Sequence, residues 1–201
     1  EPDLSAFVYS TAFGSGAVTP NISPIAFLVD RCENVYISGW GGAIGNGNVF
    51  LSAGTTGLPV TADAIKSNTD GKDIYFFVLK KDAASLLFAS FFGENNVLPN
   101  LGCDHVDGGT SRFDRNGTIY QAICGNCNIN GRPNYPVTTG AWATTNNAGG
   151  SGCNLTMVKI AMNLAGVAGG VQSAIDGSKD TAGCLPLPVI FTDTIGNAQS
   201  Y

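Results

Sequence analysis

Asp30-Arg31-Cys32-Glu33-Asn34-Val35-Tyr36-Ile37 returns 84 residues later as Asp114-Arg115-Asn116-Gly117-Thr118-Ile119-Tyr120-Gln121, with the same spacing from Asp to Tyr. Around this pair, three further cassettes repeat. Tyr9-Ser10-Thr11-Ala12-Phe13-Gly14 is echoed by Phe88-Ala89-Ser90-Phe91-Phe92-Gly93 at an offset of 79. Leu58-Pro59-Val60-Thr61 recurs as Tyr135-Pro136-Val137-Thr138 at 77, and Phe77-Val78-Leu79-Lys80 recurs more loosely as Met157-Val158-Lys159-Ile160 at 80. Cassettes that return in one order at nearly one spacing describe a duplicated structural unit.

The apolar stretches Ala6–Tyr9, Ile25–Val29, Val35–Ile37, Ile74–Leu79, Leu86–Phe92, Ile119–Ile123 and Leu155–Met162 are short and rich in β-branched and aromatic residues. Gly, Asn, Asp or Pro bounds each of them, which is the punctuation of strands. A helix over Tyr75–Phe92 is the rival reading. Its apolar residues run consecutively, however, and Lys81-Asp82-Ala83-Ala84-Ser85 interrupts them as a hairpin turn would. Nearly continuous apolar runs predict strands buried on both faces, as in stacked sheets. The loops at Gly41–Gly57 and Asn128–Gly152 are long and rich in Gly and Asn. After Met162 the repeat stops, and a boundary falls near Leu164.

Composition narrows the function classes. Charged residues make up 12% of the 201, about half the usual share, while 44% are hydrophobic. So few charges suit an exported module or a piece of a larger assembly. A net charge of -5, with Lys80-Lys81 and Arg112/Arg115 the only basic pairs, argues against nucleic acid as a partner. No apolar run approaches the roughly 20 residues of a membrane-spanning helix. Glu1-Pro2-Asp3 does not read as a translation start, so the chain is expected to be part of a longer one.

With these cassettes in view, the chain resembles the β-propeller repeats of large secreted surface proteins from Bacteroidetes. Such proteins often carry a gliding-motility-associated C-terminal region and leave by type IX secretion. The residues carrying the resemblance are the Asp-x-x-(Asn/Gly)-x-(Ile/Val)-Tyr and Tyr-Pro-Val-Thr cassettes, the strand ending Phe91-Phe92-Gly93, and Cys103–Asp114 running into Ile119-Tyr120 and Cys124-x-x-Cys127. The tail from Gly183 to Tyr201 resembles the opening of a PKD domain, an immunoglobulin-like β-sandwich. The resemblance implies an extracellular or cell-surface location and no catalysis. Propellers close with about four to eight blades. Two units therefore need other blades of the same parent chain, or neighbouring copies, as partners.

Several residue sets can carry chemistry. Cys103, His105, Cys124 and Cys127 have the spacing of a Cys3His zinc set. Exported surroundings favour disulfides instead, with Cys103, Cys124, Cys127 and Cys153 as the candidates. Six cysteines allow fifteen pairings. The preferred one joins Cys103 and Cys153 to Cys124 and Cys127, one each, leaving Cys32 and Cys184 free or paired elsewhere. The carboxylates Asp70, Asp73, Asp104, Asp107 and Asp114 can bind calcium or act as an acid–base pair on sugars. None completes a recognised pattern, and turn chemistry accounts for them more simply. No cofactor is therefore expected, with structural calcium or zinc as the exceptions to test.

Trp40 and Trp142, with Tyr36, Tyr120 and Tyr135, can form a sugar-stacking platform or pack between sheets. Asn21, Asn116 and Asn154 open Asn-x-Ser/Thr triplets. Thr181 and Thr194 stand in Asp-Thr-apolar triplets like the O-glycosylation sites of Bacteroidetes.

These readings converge on an all-β chain. It is expected to hold an incomplete propeller of about two four-stranded blades, followed by the first strands of an Ig-like/PKD sandwich. Residues 1–23 would supply the last strand of a preceding blade and a linker, 24–100 and 101–164 the two blades, and 165–201 a linker and the sandwich start. The expected function is non-catalytic, in adhesion, gliding or a surface filament. A polysaccharide-binding propeller is the alternative.

Overall fold

The punctuated apolar runs fold as strands. The computed structural model describes residues 5–30, 32–42, 53–94, 104–106, 111–114, 117–125, 135–144 and 154–162, together with the backbone of 171–174 and 190–193. Strands β1 (Ser23–Val29), β2 (Val35–Trp40), β3 (Ile74–Leu79) and β4 (Leu86–Phe92) form an antiparallel sheet in that order. Strands β5 (Ser111–Phe113), β6 (Thr118–Gly125) and β7 (Asn154–Ala161) form a second sheet, and β8 (Val171–Ala174) pairs with β9 (Ile190–Asp193) in a third. There is no α-helix among the described residues, so the chain is all-β. Tyr75–Phe92 is a hairpin whose turn is a 3-10 element, Lys81–Ala83, with Asp82 and Ala83 at φ 57° and 54°.

The duplicated Asp cassettes build the same turn twice. In the first, Asp30 N donates to Asn34 O (3.0 Å), Glu33 N to Asp30 O (3.0 Å) and Asn34 N to Asp30 Oδ1 (2.9 Å). In the second, Asp114 N donates to Thr118 O (2.8 Å), Gly117 N to Asp114 O (3.0 Å) and Thr118 N to Asp114 Oδ1 (3.0 Å). Each Asp is the side-chain cap that closes its own hairpin. The position before the last requires positive φ, and Gly117 meets it at 75° where Glu33 is held at 63°. Glu33→Gly should therefore raise stability by about 0.5 kcal/mol in urea unfolding. The relief of left-handed strain outweighs the exposed Lys81–Glu33 ion pair, which contributes little. The Pro-Val-Thr cassettes repeat a turn as well, with Ala64 N donating to Thr61 O and Ala141 N to Thr138 O, both at 3.1 Å.

Register corrects one sequence match. Tyr36 faces Val78 across β2–β3, and Tyr120 faces Lys159 across β6–β7. Val78 thus corresponds to Lys159, an offset of 81 and not 80. A slip of one residue sends every side chain to the opposite face, and here it decides which faces meet. Tyr36, Ser38, Trp40, Ile74, Phe76, Val78 and Phe88 share one face of the first sheet. They pack against Ile119, Gln121, Ile123 and Ile160 of the second in a single core. Ser38 Oγ donates to Gln121 Oε1 at 3.0 Å across that core.

The other face of the first sheet buries Val35, Tyr75, Phe77, Leu79 and Phe91 beneath Leu58. Phe13 stacks on Phe77 there, with centroids 4.1 Å apart. All six residues of β3 are buried, as its continuous apolar run predicts. The edge of β4 is closed by a neighbouring segment: Ala89 N donates to Thr61 Oγ1 and Phe91 N to Lys66 O, both at 3.1 Å.

The described residues differ from two expectations. Residues 5–22 contain no strand, so Ala6–Tyr9 lies unpaired, because none of the described strands runs beside it. Among the described residues the second sheet has three strands, with β7 at its edge, where four were expected. In the first sheet the fourth strand follows directly after a six-residue turn, residues 80–85. After β7 the only described strand downstream within reach in sequence, β8, ladders with β9 instead.

Candidate functional site

Two features of the described residues carry unusual chemistry: a buried carboxylate seam between the two sheets, and an open groove along β7.

The seam forms where β3 begins and β4 ends. Asp73 precedes β3, Gly93 and Glu94 follow β4, and Asp104 N donates to Lys72 O at 3.1 Å. The next residue, His105, bridges to Cys124 of β6 through two backbone hydrogen bonds. Residues 104–106 thereby stitch the first sheet to the second. Asp73, Glu94 and Asp104 are all buried, and Lys66 Nζ lies 2.5 Å from Asp73 Oδ1 and donates to Glu94 O at 3.2 Å. Gly93 sits at φ 145°, and the point where its Cβ would stand is 2.2 Å from Asp104 Oδ2 and 2.6 Å from Asp73 Oδ1. Only glycine lets the two carboxylates approach this backbone.

Burial pushes the Asp73 carboxyl up to about 6, while the Lys66 charge and hydrogen bonds from Lys66 and Thr69 pull the other way. Tyr135 is raised well above its usual value, first by burial and then by the charges of Asp104 and Glu94. For an acid whose folded pKa exceeds its unfolded one, folding takes up a proton. Stability is then gained as pH falls through about 6 towards 3.8, and the charged carboxylate is a burden above that window. The chain should be about 1 kcal/mol more stable at pH 5 than at pH 7 relative to Asp73→Asn, whose profile lacks this component. Urea midpoints at the two pH values read the difference.

Asp73 and Asp104, both named from sequence, are thus brought together, with Lys66 and Glu94 as partners that sequence reading missed. Nothing marked those two, because the seam joins segments separated by loops. Asp73 is 0% and Asp104 1% exposed, so the pair is closed to a substrate. Asp70 lies close enough for its charge to oppose ionisation of Asp73, while Asp114 stands in its own turn. Asp70 Oδ1 accepts from Lys72 N at 2.9 Å, and Asp114 caps its turn. Asp107 lies outside the described residues.

Among the described residues no group of three His, Cys, Asp or Glu side chains is arranged to hold a metal ion. Of the zinc set, His105 and Cys124 are neighbours and Cys103 and Cys127 lie outside the described residues. Cys124 is disulfide-bonded, and a disulfide sulfur is not the thiolate that zinc requires. Cys153 and Cys184 lie outside as well, and Cys32 is a free, exposed thiol.

The groove encloses about 830 Å³ between residues 135–144 and β7, with Phe92 also lining it. Residues 154 to 159 all line it, so it runs along the strand edge, where side chains from both faces are met. Trp142 is 103% exposed at its rim, with Val137, Leu155 and Met157 also open to solvent. Lys159 Nζ lies 5.2 Å from the Tyr120 ring centroid, a cation–π contact on the outer face of the same sheet. Trp40 is different. It is buried in the core with its ring 5.6 Å from that of His105, so of the two tryptophans Trp142 alone presents a free face. Asn154 is exposed at the start of β7, while Asn21 is buried and donates to Gly54 O at 2.7 Å. Asn116, Thr181 and Thr194 lie outside the described residues.

In comparisons with protein families, curated proteins and solved structures, nothing matches this chain.

Proposed function

We propose that the chain is a non-catalytic structural module of a large extracellular protein, serving adhesion, gliding or a surface filament. The observation that carries this reading is the equivalence of the two sheets. The face of the first sheet that receives the second holds Tyr36, Ser38, Trp40, Ile74, Phe76 and Val78. The repeat places Tyr120, Ala122, Cys124, Leu155, Met157 and Lys159 at the same positions on the outer face of the second. Such head-to-tail stacking is how propeller blades, and other stacked-sheet repeats, bury surface. The carboxylates that approach each other are sealed in a seam, which suits a joint better than a reaction centre.

The low charge content, the disulfide at Cys124 and the resemblance to Bacteroidetes surface proteins favour export, since cytosolic thiols are kept reduced. The pair β8–β9 is read as the opening of the PKD-like sandwich over 165–201. Antibodies raised against the chain should label intact, unpermeabilised cells of the source organism, or material shed from them. Labelling confined to the cytoplasm would overturn the reading.

The exposed indole of Trp142 beside the groove favours a second reading, recognition of surface polysaccharide. On a glycan array, specific binding lost in Trp142→Ala supports it, and binding indifferent to that change removes it.

A further inference from the structure

We infer that residues 7–14 of one copy of this chain supply the fourth strand of the second sheet in another copy. The inference deepens the stacked-module reading by naming the partner, and it starts from a slot and a loose strand that fit each other.

The slot is defined by comparing the two units. In the first, β4 lies between β3 and the segment carrying Thr61 and Lys66, bonded to both. In the second, β7 stands where β3 stands, and Thr138 and Ala143 stand where Thr61 and Lys66 do. Between them is the groove. It occupies the position of a fourth strand, and along its wall β7 is an edge strand whose only ladder among the described residues is with β6. An open edge beside apolar walls is a seat for an added strand.

The loose strand is Tyr9-Ser10-Thr11-Ala12-Phe13-Gly14, the cassette that repeats Phe88-Ala89-Ser90-Phe91-Phe92-Gly93 of β4. It has the sequence of a fourth strand and lies in no sheet. Phe7 is 93% and Val8 72% exposed, a costly display of apolar surface at the start of this segment.

The stacking geometry says where the donor comes from. Phe13 already rests on Tyr75 and Phe77, the face of the first sheet turned away from the second. If residues 7–14 enter the slot of a neighbour, that face, with Leu58 already packed on it, follows and meets Tyr120, Leu155 and Met157 of the neighbour's second sheet. The contact then repeats the face-to-face relation between the two sheets within one chain. Strand addition and sheet stacking are satisfied by the same copy in the same movement. The interface is heterologous, so successive copies close a ring or extend a filament.

The register follows from β4. Phe88, Ser90 and Phe92 face Val78, Phe76 and Ile74. Tyr9, Thr11 and Phe13 are therefore placed opposite Lys159, Met157 and Leu155 of the neighbour.

The test uses the full chain with Cys32→Ser, which removes the free exposed thiol. A tagged chain carrying Thr11→Cys is mixed with an untagged chain carrying Met157→Cys under mild oxidation. A covalent heterodimer is expected, several-fold more abundant than from the slipped pair of Ser10→Cys with Met157→Cys. No heterodimer, or equal yields from the two pairs, would overturn the inference. So would a chain bearing both Thr11→Cys and Met157→Cys that cross-links only within itself. Sedimentation gives a second reading: the unmodified chain should associate as concentration rises, and Thr11→Pro, which removes a ladder N–H from an exposed segment, should stay monomeric. Identical sedimentation of the two would also overturn it. A chain that fails these tests yet labels cell surfaces sinks the strand exchange and leaves the structural-module reading standing.

Discussion

Gly93→Ala should lose about 3 kcal/mol or more of unfolding free energy, enough to unfold a marginal domain at ambient temperature. Two costs add at this position. The backbone sits at φ 145°, a region that L residues avoid, which costs on the order of 1–3 kcal/mol. The new methyl would also stand 2.2 Å from Asp104 Oδ2 and 2.6 Å from Asp73 Oδ1. Neither carboxylate can retreat cheaply. Asp73 is held by Lys66, and the backbone of Asp104 is tied to Lys72 while its neighbour His105 is tied to β6. Gly140→Ala separates the two costs, since that residue has φ 80° with nothing within 4 Å of a Cβ, and only the backbone component of about 1 kcal/mol is expected. Urea unfolding monitored by tryptophan fluorescence reads both, because Trp40 lies in the core beside His105. Equal, small losses in the two variants would show that the seam does not constrain the fold.

Phe76→Ala should cost about 3–5 kcal/mol, the range for emptying a fully buried aromatic site. Phe76 is 0% exposed in the middle of β3, between Ser38 and Ser90, on the face that meets the second sheet. Its counterpart under the offset of 81 is Met157, 80% exposed on the outer face of the second sheet. Met157→Ala should change stability by no more than about 0.5 kcal/mol in dilute solution, where no neighbour covers it. One repeat position, two very different losses: the contrast measures what burial between sheets contributes. If Met157→Ala becomes costly only as concentration rises, an associating copy is covering that face.

Much of the local structure was written in the chain itself. Asp30 and Asp114 close their hairpins through bonds to backbone amides two to four residues away, so composition over a few residues settles them. The same holds for the Pro-Val-Thr turns, and for the continuous apolar run of β3, whose two-sided burial needs only a sheet on one side and loops on the other. All-β architecture and an internal duplication were therefore legible, and so was the hairpin in place of a helix at Tyr75–Phe92.

What the sequence could not resolve depends on distances across space. The match of β3 to β7 was one residue out, because Val and Lys or Phe and Met are equally plausible at a strand position until the ladder fixes which face each takes. Lys66 and Glu94 gave no sign that they join Asp73 and Asp104, since the four converge only once two sheets stack and Gly93 lets the carboxylates approach. Trp40 and Trp142 look alike in the chain, yet one is sealed in the core and the other stands in solvent. Short-range bonding determined the turns and strands by itself. Which faces meet, which edge stays open and which carboxylates share a seam were decided by packing between segments far apart in sequence, where burial and not local preference sets the free energy.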